Sequence, residues 1–171
     1  DVFLKGLAPD GGLFVPIKIP SYSSEELKNF RDFSYNELAA KIILTFCNEE
    51  FSHSEIQELI NASYKNFRVR DVVELKKIGK VNLLELFHGP TLAFKDIAMQ
   101  VIGNMYEKIL KKNNLKTNII VATSGDTGAA AISAIKNRTN MKIFVLHPEN
   151  KISEVQRKFM TTVKANNVFN I

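Results

Sequence analysis

Apolar runs that alternate with amphipathic helix patterns fill the chain from Val81 onward. Strand-like runs cover 81–87, 118–122, 141–147 and 168–171, and patterns with helical periodicity separate them. Strands that alternate with helices favour a parallel α/β sheet with right-handed crossovers. Ligands of such sheets bind beyond the carboxyl ends of the strands, so the turns that follow the strands are the first places to look for a site.

Residues 1–80 have a different character, and we predict a mainly helical N-terminal subdomain there, with a partial α/β domain over 81–171. Three Ser-x-x-Glu capping boxes, at Ser23, Ser34 and Ser52, each announce a short helix. Strand-like residues 72–75, followed by a turn at Gly79-Lys80, could form a hairpin with the run that begins at Val81.

The turn between the first apolar run and the next helix carries a lysine. Gly89-Pro90 interrupts regular structure after His88, and Lys95 follows Phe94 at the start of an amphipathic helix predicted from Asp96. A lysine there is partly desolvated and near the positive end of the helix dipole, and both effects favour the neutral, nucleophilic amine. A solvated lysine in a first helical turn is the alternative. His88 fits a hydrogen-bonded structural role as well as a catalytic one.

A second turn, 123–128, joins a buried strand to a helix of small residues. Its amides, with the hydroxyls of Ser124 and Thr127, could bind an anion such as a phosphate or a carboxylate. The sequence Thr-Ser-Gly-Asp-Thr-Gly is neither the mononucleotide phosphate loop nor the G-x-G-x-x-G fingerprint, so the common nucleotide-binding readings lose support.

Four segments together resemble the threonine synthases, pyridoxal-phosphate enzymes with the tryptophan-synthase-β-like fold. They lie in the family's order and cover most of the chain. The segments are Gly6-Leu7-Ala8-Pro9-Asp10-Gly11-Gly12-Leu13-Phe14-Val15-Pro16, His88-Gly89-Pro90-Thr91-x-Ala93-Phe94-Lys95-Asp96, Thr123-Ser124-Gly125-Asp126-Thr127-Gly128 and Val155-Gln156-x-x-x-Met160-Thr161-Thr162.

The resemblance implies roles for individual residues. Lys95 would be the catalytic lysine that forms the Schiff base with pyridoxal 5′-phosphate and shuttles protons, and Phe94 and Asp126 would also contact the cofactor. The substrate's carboxylate would be held by the second turn, through Thr123, Ser124, Gly125, Thr127 and Gly128.

The reaction implied is the conversion of O-phospho-L-homoserine and water to L-threonine and phosphate. Two alternatives stay open: a phospholyase that releases a 2-keto acid, and a non-catalytic binding module on the same fold. The family's glycine-rich cup for the cofactor phosphate is not found in this sequence. We therefore expect a fragment of a longer enzyme that is inactive alone.

The composition argues against several classes of binding partner. The charge is +5 and the pI about 9.3, but the lysines are spread along the chain, which argues against nucleic acid. No apolar run is long enough to span a membrane, and no charged-then-apolar leader is recognised. The single Cys47 rules out an internal disulfide and favours a reducing compartment, so we predict a cytoplasmic protein without a metal site.

Overall fold

The computed structural model describes residues 2–171, and its contacts divide the chain into two compact units. The first unit ends at Glu58 and the second begins at Leu59, inside one helix. The sequence placed a boundary at residue 80 instead. Whether 1–80 and 81–171 are separate folding domains stays a prediction, which limited proteolysis would test.

The first unit is helical, and serine caps define where its helices begin. Its elements are α1 (Val2–Lys5), α2 (Ser24–Asn29), a 3-10 turn (Phe30–Asp32), α3 (Tyr35–Cys47) and the first half of α4 (His53–Tyr64). All three predicted capping boxes form: at Ser52, for example, the backbone N–H donates to Glu55 Oε2 at 2.9 Å and the hydroxyl oxygen accepts the Glu55 N–H at 3.3 Å.

Cys47 ends α3 half-buried, and its thiol donates to the carbonyl oxygen of Ile43 at 3.2 Å. Burial raises the pKa of the thiol, which makes the nucleophilic thiolate rarer. Cys47 therefore has the environment of a packing residue.

The second unit contains a hairpin and a parallel sheet with its crossover helices. The elements are β1 (Glu74–Ile78), β2 (Val81–Glu85), α5 (Lys95–Lys112), β3 (Thr117–Ala122), α6 (Asp126–Ile135), β4 (Met141–Leu146), α7 (Glu154–Thr161) and β5 (Val168–Asn170). Strands β3, β4 and β5 are parallel neighbours in that order, with Ile119 opposite Ile143 and Val145 opposite Asn170. The predicted α/β class with a parallel sheet is confirmed.

One strand was assigned wrongly. The run from Val81 does not join the parallel sheet formed by residues 117–170, but pairs antiparallel with β1. The reason is local: Gly79 has φ +62°, which a two-residue hairpin turn requires, so the chain reverses and the neighbouring strands pair directly. The alternative of a hairpin here was the correct one.

The core of the second unit lies between the sheet and its helices. Ile132, Ile143, Val145 and Met160 have no measurable exposure. The small residues of α6 allow close packing: a Cβ added to Gly128 would lie 3.3 Å from Val145 Cγ1, and one added to Gly103 of α5 would lie 2.7 Å from the Ala134 carbonyl oxygen. Its small residues thus let α6 approach the sheet closely.

A single amide side chain holds the loop between α6 and β4. Asn167 Nδ2 donates to the carbonyl oxygens of Ile135, Arg138 and Met141 at 2.9, 3.1 and 2.9 Å, and its Oδ1 accepts the Asn137 N–H at 2.9 Å. In residues 2–171, no helix has both the length and the apolar character needed to cross a membrane.

Candidate functional site

The turn that leads into α5 is closed by a buried aspartate. Asp96 is fully buried; its Oδ2 accepts the Thr91 N–H at 2.7 Å and its Oδ1 accepts the Thr91 hydroxyl at 2.8 Å. A Cβ on Gly89 would lie 2.5 Å from Asp96 Oδ2, so glycine is needed for the chain to pass this close. Burial raises the pKa of Asp96, although hydrogen bonds from Thr91 and Ala93 act in the opposite direction.

The segment beside this aspartate is strained. Leu92 adopts φ +65°, a left-handed conformation that costs a residue with a side chain about 1–2 kcal/mol. Its N–H donates to the Gly89 carbonyl oxygen at 3.2 Å, which closes the turn. Such strain persists where surrounding contacts impose it, and here Asp96 and Gly89 do so.

Lys95 is the first residue of α5 and is half-buried. Its Nζ lies 4.5 Å from the centroid of the Phe94 ring, a cation–π contact, and Phe94 itself is 60% exposed. The lysine thus lies where the sequence predicted, directly after the turn that Asp96 closes.

His88 lies in an ionic cluster ahead of this turn. His88 Nε2 is 3.0 Å from Glu85 Oε2, which Lys76 Nζ also approaches to 3.0 Å, and Lys76 bridges to Glu74 at 3.3 Å. Lys76, and then His88, hold the pKa of Glu85 below its usual range. Ligand atoms of Glu74, Glu85 and His88 lie within 4.8 Å of one another, but the Lys76 ammonium already pairs with both carboxylates. This geometry supports the structural reading of His88.

The turn between β3 and α6 is organised by a threonine hydroxyl. Thr123 Oγ1 accepts the N–H groups of Gly125 at 3.1 Å and Gly128 at 3.2 Å. Gly125 has φ +155° and ψ −101°, a backbone region that glycine alone occupies readily. A Cβ on Gly128 would lie 2.5 Å from Met160 Sδ and 2.6 Å from Thr123 Cγ2. The side chains of Met160 and Thr123 therefore pack against this turn at Gly128.

The aspartate that opens α6 is held from another helix. Gln156 of α7 donates from Nε2 to Asp126 Oδ1 at 2.9 Å. Asp126 is exposed, in contrast to Asp96. Within residues 2–171, Oδ2 of Asp126 has no hydrogen-bonding partner.

A cleft of about 180 Å³ lies between the two turns. Residues 91–93, directly ahead of Lys95, form one wall, and the other consists of side chains from the start of α6 and from α7. The lining residues of that second wall are Asp126, Ala129, Val155, Gln156 and Phe159. The structure therefore brings together the two segments that the sequence singled out.

Known proteins match this fold and these segments. A sequence model of the family described as "Threonine synthase N terminus" matches residues 1–64. Threonine synthase of Pseudomonas aeruginosa is 41% identical over all of this chain and 37% of its own length, and threonine synthase of Saccharomyces cerevisiae is 38% identical over 98% of the chain and 36% of its length. The crystal structure of PLP-bound threonine synthase from Brucella melitensis superposes with a TM-score of 0.94 at 39% identity, covering 99% of this chain and 37% of that one.

Over its whole length the chain matches threonine synthases. It spans just over a third of the length of the relatives that it matches. The structure of the Escherichia coli threonine synthase, at 32% identity and a TM-score of 0.85, agrees over 99% of the chain. The predicted family is confirmed.

The predicted site residues differ in whether they line the cleft. Asp126 lines it, and Lys95 and Phe94 directly follow one wall. The hydroxyl oxygen of Thr123 and the amides of Gly125 and Gly128 bond to one another inside the turn. Ser124 is exposed and Thr127 is half-buried.

The sequence did not indicate the roles of two residues of this region. Asp96 was read only as a helix start, and Gln156 only as part of a family signature. The sequence feature that could have indicated Asp96 is its position directly after Lys95. For Gln156 the signature Val155-Gln156 was the only hint, because its partner is far away in the chain.

Proposed function

We propose that this chain supplies the lysine-bearing part of a threonine synthase active site, which uses pyridoxal phosphate to convert O-phospho-L-homoserine and water to L-threonine and phosphate. One observation carries the proposal: residues 91–93, shortly ahead of Lys95, line the same cleft as Asp126 and Ala129 at the start of α6, together with side chains of α7. An amine and an anion-binding helix start beside one cleft are what an amino-acid enzyme of this type needs.

The residues around the cleft fit such a cofactor. Ala93, Ala129, Val155 and Phe159 give apolar surface for a flat ring, whereas Thr91, Asp126 and Gln156 give polar groups at its edge. When bound, pyridoxal phosphate withdraws electrons from the amino acid and so makes its carbon-bound protons acidic. The Brucella melitensis relative binds this cofactor.

Lys95 provides the mobile base in this proposal. Its Nζ can attach the cofactor and then carry protons, because the four-carbon stem is flexible and the α5 start holds its root in place. In the structure the amine lies over the Phe94 ring, so Phe94 holds Lys95 until a ligand occupies the cleft. That contact is worth about 0.5–1 kcal/mol at an exposed site, so it is weak enough for the amine to leave the ring when a ligand binds.

The α6 turn orients the substrate's carboxylate. The N–H groups of Asp126 and Thr127 open the helix, where an α-helix has no carbonyl partner for them. Ser124 adds an exposed hydroxyl, and Thr127 a half-buried one. The Gly125 and Gly128 amides would contact the anion only by giving up Thr123, so we assign them, with Thr123, to shaping the turn around the substrate.

The decisive experiment is done on the natural protein that contains this sequence, with Lys95→Ala and, as a matched control, Lys112→Ala at the exposed far end of the same helix. We expect the visible absorbance of the lysine-bound cofactor and threonine formation to vanish in Lys95→Ala and to persist in Lys112→Ala. Retention of the absorbance in Lys95→Ala would contradict the proposal. The isolated 171-residue chain, assayed in parallel, is expected to form no threonine.

The product must be identified as well, since relatives named threonine synthase-like 2, such as that of Xenopus laevis at 39% identity, are equally similar. Release of a 2-keto acid in place of threonine would favour the phospholyase. A cytoplasmic location stays a prediction, which cell fractionation would test.

A further inference from the structure

We infer that Gln156 is a positioning residue that sets the direction of the Asp126 carboxylate in the cleft. The inference rests on the proposed function, because it concerns how the same cleft receives its ligand. Gln156 and Asp126 both line the cleft, and the amide donates to Asp126 Oδ1 at 2.9 Å across the gap between α7 and α6.

The amide of Gln156 is itself oriented by a neighbour. Ser153, the N-cap of α7, accepts the Gln156 backbone N–H at 3.3 Å, and its hydroxyl donates to Gln156 Oε1 at 3.0 Å. With Oε1 engaged as an acceptor, the NH2 group must face Asp126. The cap of one helix therefore decides which end of the amide meets the other helix.

The path of this amide requires a glycine in the opposite turn. A Cβ on Gly125 would lie 2.5 Å from Gln156 Nε2 and 2.9 Å from its Oε1. Gln156 thus packs flat on the backbone of the turn whose amides would bind the substrate. The glycine at position 125 leaves room for the positioning side chain in addition to allowing the turn.

The consequence for the site concerns the two oxygens of Asp126. Oδ1 is used by Gln156, and Oδ2 has no hydrogen-bonding partner in residues 2–171. Fixing one oxygen removes rotation about the side chain's bonds before a ligand arrives, so the second oxygen meets the ligand with less entropy to lose. Asp126 would otherwise be an exposed side chain free to turn into solvent.

The test uses four variants of the natural protein that contains this sequence, three for binding and kinetics and Asp126→Ala for NMR. Gln156→Leu removes the amide, Gln156→Glu places a carboxylate against Asp126 at the same distance, and Arg157→Gln changes the exposed neighbour as a control. Cofactor affinity is measured from the absorbance on titration with pyridoxal phosphate, together with kcat and KM. The side-chain NH2 signal of Gln156 is followed by NMR without ligand, in the wild type and in Asp126→Ala.

We expect Gln156→Leu to weaken cofactor affinity about tenfold, in the range seen when groups that orient a ligand's direct contacts are removed. Gln156→Glu should lose more at neutral pH and recover as the pH falls, because one shared proton restores a hydrogen bond between the two carboxyl groups. Arg157→Gln should match the wild type. The NH2 signal of Gln156 should move in Asp126→Ala.

A merely structural role of Gln156 predicts a different pattern. If cofactor affinity and kcat/KM in Gln156→Leu equal those of the wild type, or if Gln156→Glu shows no recovery in acid, the inference is overturned. A wild type that shows no lysine-dependent absorbance would instead overturn the proposed function. The NH2 signal separates the two, since it reports the contact with Asp126 in the absence of cofactor.

Discussion

Helices α5 and α6 both begin after a turn that contains a threonine and a glycine, and each has an aspartate in its first turn, yet the two aspartates are in opposite surroundings. Asp96 is fully buried and accepts hydrogen bonds from the N–H and the hydroxyl of Thr91, whereas Asp126 is exposed and accepts one from Gln156. The threonines are used in opposite ways too: Thr91 donates to its aspartate, and Thr123 accepts from backbone amides.

The difference shows that two similar turns of one fold can differ in which polar groups they leave unpaired. The α5 start is a closed unit that holds the root of Lys95 in place, and its polar groups satisfy one another. The α6 start leaves a carboxylate oxygen and helix-start amides without protein partners in residues 2–171, which in the proposed function receive a ligand. Residue type and position in the helix are therefore insufficient to assign function; the partner of each side chain decides it.

The strongest test of this comparison is to replace each aspartate by alanine. Asp96→Ala leaves the half-buried Thr91 donors without an acceptor, and we expect the free energy of unfolding to fall by about 2 kcal/mol. Asp126→Ala, as an exposed change, should cost within about 0.5 kcal/mol while abolishing cofactor binding. Urea unfolding measures both, and equal costs would show that the two helix starts are not different in kind.

A similar loss of stability is expected for the glycine of the α6 turn. Gly125→Ala adds a Cβ that meets the Gln156 amide and must also adopt φ +155°, so we expect a loss of about 2 kcal/mol. Gly79→Ala is the matched control, because φ is +62° there and a Cβ has nothing within 4 Å. The control should cost only about 1 kcal/mol of backbone strain, and an equal loss in both variants would remove the packing argument.

Substitutions of Thr123 should change the stability by less than those of Asp96 and Gly125. Thr123→Val removes the acceptor of two amides at the α6 start, which we expect to cost about 1 kcal/mol, as for other helix-capping residues. Thr123→Ser keeps the oxygen and is expected to lose less, although it also removes the methyl group that touches Gly128. Thermal unfolding of the two variants measures this difference, and a more stable valine variant would show that the hydroxyl does not cap the helix.

The smallest expected effect is a change of stability with pH. It distinguishes the charged group Glu85 from the uncharged Thr123. The pKa of Glu85 is lowered in the folded chain by Lys76 and His88, so its contribution to stability is present above the ordinary value of 4.5 and is lost as the pH falls through the lower folded value. The stability difference between wild type and Glu85→Gln should therefore shrink below pH 4.5. The difference between wild type and Thr123→Val should stay constant over that range.

Local signals explain what could be predicted from the sequence. The capping boxes at Ser23, Ser34 and Ser52, the periodicity of α5 and the strand-like run of β4 depend on neighbours within a few residues. The location of the two turns followed from the order of strands and helices. The family resemblance supplied the roles, which are still predictions for the individual residues.

Contacts between distant residues explain what was missed. Nothing in the sequence around Asp126 indicates that a side chain thirty residues later bonds to it. The run from Val81 has the same apolar pattern whether it pairs with β1 or with a parallel neighbour, so periodicity alone could not choose. The burial of Asp96 depends on the chain folding back over Gly89, which a helix pattern does not encode.

The single amide of Asn167 has a consequence for the chemical ageing of the protein. Hydrolysis of that amide to a carboxylate would replace an NH2 donor by a negative charge facing the carbonyl oxygens of Ile135, Arg138 and Met141. One deamidation would thus turn three attractions into three repulsions and loosen the crossover between α6 and β4. Long-stored preparations should be checked by mass spectrometry at this position before a loss of stability is attributed to the active site.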